Sequence, residues 1–306
     1  MANDFSKKVT LYTTKLDELA EQASVTSVLD SANRDMIGGF THAGTVMLPK
    51  ITVEGLGDYS RSTGFPAGDM SVDWQAYTMR FDRGRGFEID DQDSMETLEV
   101  VTLNAMGKFV RDKVVPEMDA VRLSTYAANA GKTVAANITA EKDALKAVLA
   151  AEAALQDVTN LEGTIIFMDS DFEALLKVAV PWRFSAGENP DSRFEMFDGL
   201  RKIVVPKSRF YTSVTLSDGG YAATKATDAD QTHVTGQVST AAVGLNFMLI
   251  KPEAVCQIRK TEKLRYFAPA VNQEKDAHKW QYRLYHDAFV LSESKSLIYA
   301  HTKASA

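Results

Sequence analysis

The residues that could do chemistry come first. Gly131-Lys132-Thr133 has the residue types that close a phosphate-binding loop. The motif needs a glycine five residues earlier, where Tyr126 stands, and a strand before it, where the pattern is helical. Gly131 therefore reads as the C-terminal cap of a helix. Asp82-Arg83-Gly84-Arg85-Gly86 lacks the third glycine of a dinucleotide fingerprint and opens no helix, so it reads as a bend. Glu88, Asp90, Asp91 and Asp93 could hold a hard cation, but the calcium-loop spacing and its glycine are missing. Asp93 reads instead as a helix cap, with the other acids favoured near the positive end of that helix. The histidines are His42, His233, His278, His286 and His301, none at metal-ligand spacing; His278 and His286 would lie roughly 26 Å apart along one strand. Cys256 is the single cysteine, which excludes a disulfide scaffold and a cysteine zinc site, and its apolar setting reads as a buried inert thiol. No Gly-x-Ser-x-Gly elbow is present. Asn137-Ile138-Thr139 is a glycosylation sequon with no secretory signal to make it usable. These residues build no catalytic, metal or cofactor site, so the expectation is a protein that is not an enzyme.

The composition supports an architectural reading. The chain has 306 residues, with 34 Lys+Arg against 41 Asp+Glu and a net charge of −7. A hydrophobic fraction of 45% and a charged fraction of 25% exclude wholesale disorder. Length predicts about two domains. The acidic balance argues against a dedicated nucleic-acid gripper. No window nears the ~18 apolar residues that span a bilayer. Met1-Ala-Asn-Asp-Phe-Ser-Lys-Lys8 carries no signal-peptide pattern, so use in a cytoplasm is expected.

Stepping along the chain, residues 1–48 are polar and read as an arm lying on something else. Residues 49–92 read as a long extended excursion, with arms Lys50–Tyr59 and Ser71–Arg83 and a reversal marked by Gly64, Pro66 and Gly68. Two strands alone are marginal in water, so the excursion needs a partner surface. Residues 93–131 give the strongest helix signal, with Asp93 and Glu96 as a capping box and Leu98, Val101, Ala105, Phe109, Val114, Met118 and Val121 at helical spacing. That segment would reach roughly 58 Å. Pro116 predicts a kink or break near Val115. Residues 132–250 read as a compact α/β unit. It has an Ala-rich helix from Thr139 with Leu145, Val148, Leu149 and Leu155 as its apolar stripe, and a buried strand at Gly163–Met168. A capping box at Ser170 and Glu173 follows, then a strand at Arg201–Pro206 and an exposed loop at 217–240. Residues 251–306 are strand-rich, with Trp280, Tyr282, Leu284, His286 and Ala288 alternating against their neighbours.

The order of these parts resembles a tailed-bacteriophage major capsid protein of the Hong Kong 97 type. Four stretches carry the resemblance: Phe109–Asp119 before Tyr126, Gly163–Leu176, Phe197–Pro206, and Asn246–Ala254 through Trp280–Ala288. The resemblance implies an α+β capsid fold. Residues 1–48 would be the N-terminal arm and 49–92 an extended β-hairpin loop over the adjacent subunit. Residues 93–131 would be the spine helix of a peripheral domain, 132–250 an axial domain, and 251–306 the peripheral strands. It implies a structural shell protein, assembled through hexamers and pentamers into an icosahedral virion capsid in the host bacterial cytoplasm. The shell would enclose double-stranded DNA without specifically binding it. A separate scaffolding protein and a portal are the implied partners, with a decoration protein as a further candidate and no membrane. An encapsulin-like cellular nanocompartment shell is the alternative, and an enzyme stands third.

Some relatives weld subunits through a lysine on the extended loop. This chain has no lysine between Lys50 and Lys108, so its loop is expected to hold noncovalently. The expected inter-subunit contacts are Tyr59, Arg61 and Phe65 near the tip, the anchors Trp74, Tyr77 and Phe81, and Arg80, Arg83 and Arg85 as ion-pairing partners.

Overall fold

The computed structural model describes residues 23–90 apart from 34, 36, 39, 43 and 63, then 106–180, 184–185, 196–223, 234–235, 242–269 and 271–304. In chain order the elements are β1 (Phe40–His42), β2 (Thr45–Val53), β3 (Met70–Thr78), β4 (Phe81–Asp90), α1 (Val115–Ala128), β5 (Lys132–Ala135), α2 (Glu141–Gln156), β6 (Ile165–Asp169) and α3 (Ser170–Ala179). They continue with β7 (Phe184–Ser185), β8 (Met196–Phe197), β9 (Leu200–Val205), β10 (Val214–Ser217), β11 (Gly220–Ala222), β12 (Val234–Thr235), β13 (Leu245–Ile250), β14 (Val255–Phe267), β15 (Ala277–Val290) and β16 (Ile298–Thr302).

A mixed sheet in the order β5-β16-β13-β6-β9-β8-β7 forms one body. Every residue of β6, β13 and β16 is buried, as expected of central strands covered on both faces. Period-2 alternation divides them cleanly. Ile166, Met168, Phe247 and Leu249 meet α2 and α3, while Ile165, Phe167, Met248 and Ile250 meet Leu123 and Tyr126 of α1. A second sheet, β14-β15-β4, packs Tyr282 and Leu284 on Val110, Val115 and Met118. The long helix thus bridges both sheets.

Several expectations change in detail. Asp91, Asp93, Glu96, Leu98, Val101 and Ala105 lie outside the described residues. The helix runs unbroken through 106–128; the irregularity expected at Pro116 is a π turn at Val110–Val114, where the Val115 N–H donates to the Val110 carbonyl. That wider turn lets the chain pass the proline ring without a break. Asn129 closes the helix, with its N–H and its side-chain amide both donating to Thr125. Gly131 is not the cap. Its N–H donates to Lys295 and Ile298 carbonyls, and a Cβ there would stand 2.6 Å from the Lys295 oxygen, so a close chain crossing demands the glycine. On α2 the buried stripe is Ala144, Val148, Ala151 and Leu155, with Leu149 exposed. Asp169, rather than Ser170, is the N-cap of α3, and Glu173 is engaged by Lys177 and Lys202. The segment expected as an open loop from 217 begins with the β10–β11 hairpin. Arg83–Gly86 is no bend. It is β4 itself, paired with β15, and a Cβ at Gly84 would come within 2.9 Å of the Tyr282 oxygen. Glu88 on the same strand pairs with Lys279.

The arm at 24–33 is tied down by buried charge. The Asp119 carboxylate is fully buried and accepts the Ser24 hydroxyl at 2.6 Å, the Thr26 hydroxyl at 2.7 Å, the N–H groups of Val25 and Thr26, and Arg209 at 3.0 Å. One turn on, buried Arg122 reaches Asp30 at 3.1 Å and the Thr26 hydroxyl at 2.9 Å. Asn33 donates to the Glu253 and Val255 carbonyls.

Candidate assembly interface

The excursion is an antiparallel ribbon, β1-β2-β3, separate from both larger sheets. Its register sets Pro49 opposite Trp74, Ile51 opposite Val72, and Val53 opposite Met70. Directly opposed residues share a face, so these six side chains form one apolar strip. Lys50 opposite Asp73 and Thr52 opposite Ser71 lie on the other face. The ribbon is amphipathic, yet its apolar strip is uncovered: Ile51, Val53, Met70, Val72 and Trp74 are all exposed. Between the strands, the chain reverses at Ser60–Gly64, with Gly64 at φ +84°, a left-handed conformation that suits glycine. Tyr59 and Phe65 flank the reversal with ring centroids 4.9 Å apart, Phe65 being 87% exposed. Among the described residues, eight of the twelve exposed large hydrophobics fall within 51–74. Concentrated apolar exposure of this kind marks an interaction surface.

The root of the ribbon is riveted to β15. The Met79 N–H donates to Gly44, and the Tyr285 hydroxyl donates to the Met79 carbonyl. Asp287, its side chain fully buried, accepts the Arg80 N–H at 3.0 Å and the Arg80 guanidinium at 3.2 Å. Burial raises the Asp287 pKa, and the Arg80 charge opposes that rise. His286 beside it is buried among Arg122, Arg259 and Arg83; burial first, then those charges, hold its pKa down to about 3.

The nine residues expected as contacts therefore divide. Tyr59, Arg61, Phe65 and Trp74 present surface to solvent. Tyr77 is half-buried against Phe289, its hydroxyl donating to Gln75. Arg80 is held by Asp287; Arg83 grips Glu117 at 2.8 Å and the Ser217 carbonyl; Arg85 meets Asp218 at 2.6 Å. Phe81 has no exposed surface, so it is an anchor within its own subunit and offers nothing to another chain. Sequence reasoning missed Ile51, Val53, Leu56, Met70 and Val72. The alternations Lys50-Ile-Thr-Val53 and Ser71-Val-Asp-Trp74 were the available signal, legible only once the register aligned them.

The fold is similar to that of several solved phage chains, two of them described as capsids. The capsid structure of cyanophage P-SCSP1u matches with a TM-score of 0.60 at 12% identity, over 87% of this chain and 85% of that one. A chain of Gordonia phage Cozz matches at 0.59 and 14% identity, over 92% and 87%. The mature capsid of bacteriophage PhiM1 matches at 0.58 and 12%, over 86% and 83%. No family model matches the sequence, and no curated protein does. At these identities the likeness is one of fold.

Proposed function

We propose that this chain is the major capsid protein of a tailed bacteriophage, a structural subunit with no catalytic role. One observation carries the reading: a capsid-type fold bears an amphipathic ribbon whose apolar strip its own chain leaves uncovered. Copies of the chain supply the missing cover, and identical heterologous contacts close into rings when the rotation permits. The shell is icosahedral, built from hexamers and pentamers around double-stranded DNA, with assembly in the host cytoplasm guided by a separate scaffold and a portal. Within the subunit, 1–48 serves as the arm, 49–92 as the loop over a neighbour, 93–131 with 251–306 as the peripheral domain, and 132–250 as the axial domain.

Negative-stain microscopy with light scattering on the purified protein tests this. Closed shells or five- and six-membered rings are expected. A chain that stays monomeric or dimeric, even when co-expressed with its neighbouring genes, overturns the reading. Shells from infected cells should contain double-stranded DNA; an enclosed enzyme instead would mark a compartment shell.

A further inference from the structure

We infer that the cleft enclosed by the start of the long helix, β4, β15 and the β10–β11 turn is a binding site for a small oxyanion of the phosphate type. The site lies within one chain, so the inference stands apart from the self-assembly reading. The cleft has a volume of about 100 Å³ and is partly open. One water needs only about 10–15 Å³ of such space, so there is room for a tetrahedral ion and none for a large organic group.

Charge selects an anion. Arg83, Arg85 and Lys113 line the cleft against Glu117 and Asp218. Both carboxylates are already engaged: Glu117 accepts from Arg83 at 2.8 Å, and Asp218 accepts from Arg85 at 2.6 Å. Lys113 is exposed and has no ion-pair partner among the described residues, which leaves one positive charge over. The Nη1 donors of Arg83 are also unused among the described residues, since its Nε and Nη2 make the bonds to Glu117 and Ser217. The decisive group is His286, which is 1% exposed, forms part of the lining, and has no hydrogen-bond partner at Nδ1 among the described residues. Buried polar nitrogens are normally satisfied, so an unpartnered one in the wall of a cleft points to a ligand that supplies the acceptor. A neutral imidazole with its proton on Nδ1 donates to an anion's oxygen. The oxyanion thus gathers donors from the helix, β4 and β15 around one centre.

Titration calorimetry on the full-length, unassembled subunit tests this, in chloride buffer at constant ionic strength. Inorganic phosphate and a deoxynucleoside 5′-monophosphate are the probes in separate arms. Phosphate should bind saturably, one ion per chain, and the nucleotide no more tightly, because the cleft does not hold its base. Lys113→Ala should weaken phosphate binding about threefold to fivefold, the size of an ordinary exposed pair, and Lys113→Arg should keep it. His286→Phe removes the buried donor and should weaken binding roughly tenfold or more. The Lys113 variants alter an exposed side chain, so they decide the matter even where the histidine variant fails to fold. No saturable binding at millimolar phosphate overturns the site and leaves the cleft to water. Binding that Lys113→Ala leaves unchanged, or binding of the nucleotide alone, overturns it equally.

Discussion

Replacing Asp119 by Ala isolates what holds the N-terminal arm to the body. The carboxylate is fully buried and accepts two hydroxyls, two backbone N–H groups and the Arg209 guanidinium, whose side chain is 17% exposed. Alanine leaves Arg209 without its counter-charge and the Ser24 and Thr26 donors without their acceptor. Removing one partner of a buried ion pair costs about 3–5 kcal/mol, because the remaining charge stays desolvated. Asp119→Asn keeps the shape and one acceptor oxygen and loses the charge, so its cost should be smaller, about 1–3 kcal/mol. Urea unfolding of the unassembled subunit measures both, read as a shift in midpoint at constant slope. Limited proteolysis supplies the local readout. The polar anchors of residues 24–27 converge on Asp119 and Arg122, while Leu29 sits in the core, so the alanine variant should be cut near 24–27 under native conditions while the rest resists. A loss below about 1 kcal/mol with the arm still protected would refute the reasoning, since the arm would then be held by apolar contacts alone.

Three further outcomes follow from the same geometry. Val72→Asp places a charge on the exposed apolar strip; subunit stability should change by less than about 0.5 kcal/mol while assembly, followed by light scattering, is lost. His286 is neutral when folded and protonates near its ordinary value of 6.5 when unfolded, so the unfolded state binds the extra proton. Stability should therefore fall as pH drops from about 6.5 toward 3, by up to about 1.4 kcal/mol per pH unit. Asp287, with its raised pKa, runs the other way, so the difference between wild type and His286→Gln isolates the histidine. Finally, assembled particles should release free monomer on a denaturing gel: the ribbon carries no lysine beyond Lys50, and Lys50 is engaged by Glu293 at 2.9 Å; a covalent ladder would contradict this.

What the sequence disclosed follows from how local each feature is. The alternation of Trp280, Tyr282, Leu284, His286 and Ala288 appears as β15 with all five buried, because a strand's faces are set by its own period. The apolar run at 165–168 is a central strand because it is covered on both faces, which an uninterrupted apolar run matches. Features that depend on distant chain are not legible locally. Gly131 looked like a helix cap, but its reason is the chain crossing at Lys295 and Ser296. Ser71–Arg83 looked like one arm, yet the chain passes from ribbon to body at Met79–Arg80, because Tyr285 and Asp287 rivet it there. The sequence therefore places Phe81 on the excursion as a contact with a neighbour, whereas it lies in its own subunit's core. Helical spacing puts Leu149 in the apolar stripe, yet Ala144 and Ala151 fill that face and Leu149 is exposed.

The placement of apolar residues separates folding from assembly. Phe81, Tyr126 and Phe167 are wholly buried in the single chain, where each large apolar side chain contributes about 1.5–3 kcal/mol to its stability. Ile51, Val53, Leu56, Phe65, Met70 and Val72 contribute little there, because solvent already covers them. Their free energy is released only when a second surface removes that water. A ribbon so exposed would invite indiscriminate association, and two features restrain it. Its polar face carries Lys50 and Asp73 in opposition, and the chain's net charge of −7 makes undirected encounters repulsive. Under the proposed capsid function, productive contact then requires a surface that matches the apolar strip of Ile51, Val53, Met70, Val72 and Trp74 while leaving the polar face of Lys50 and Asp73 in water.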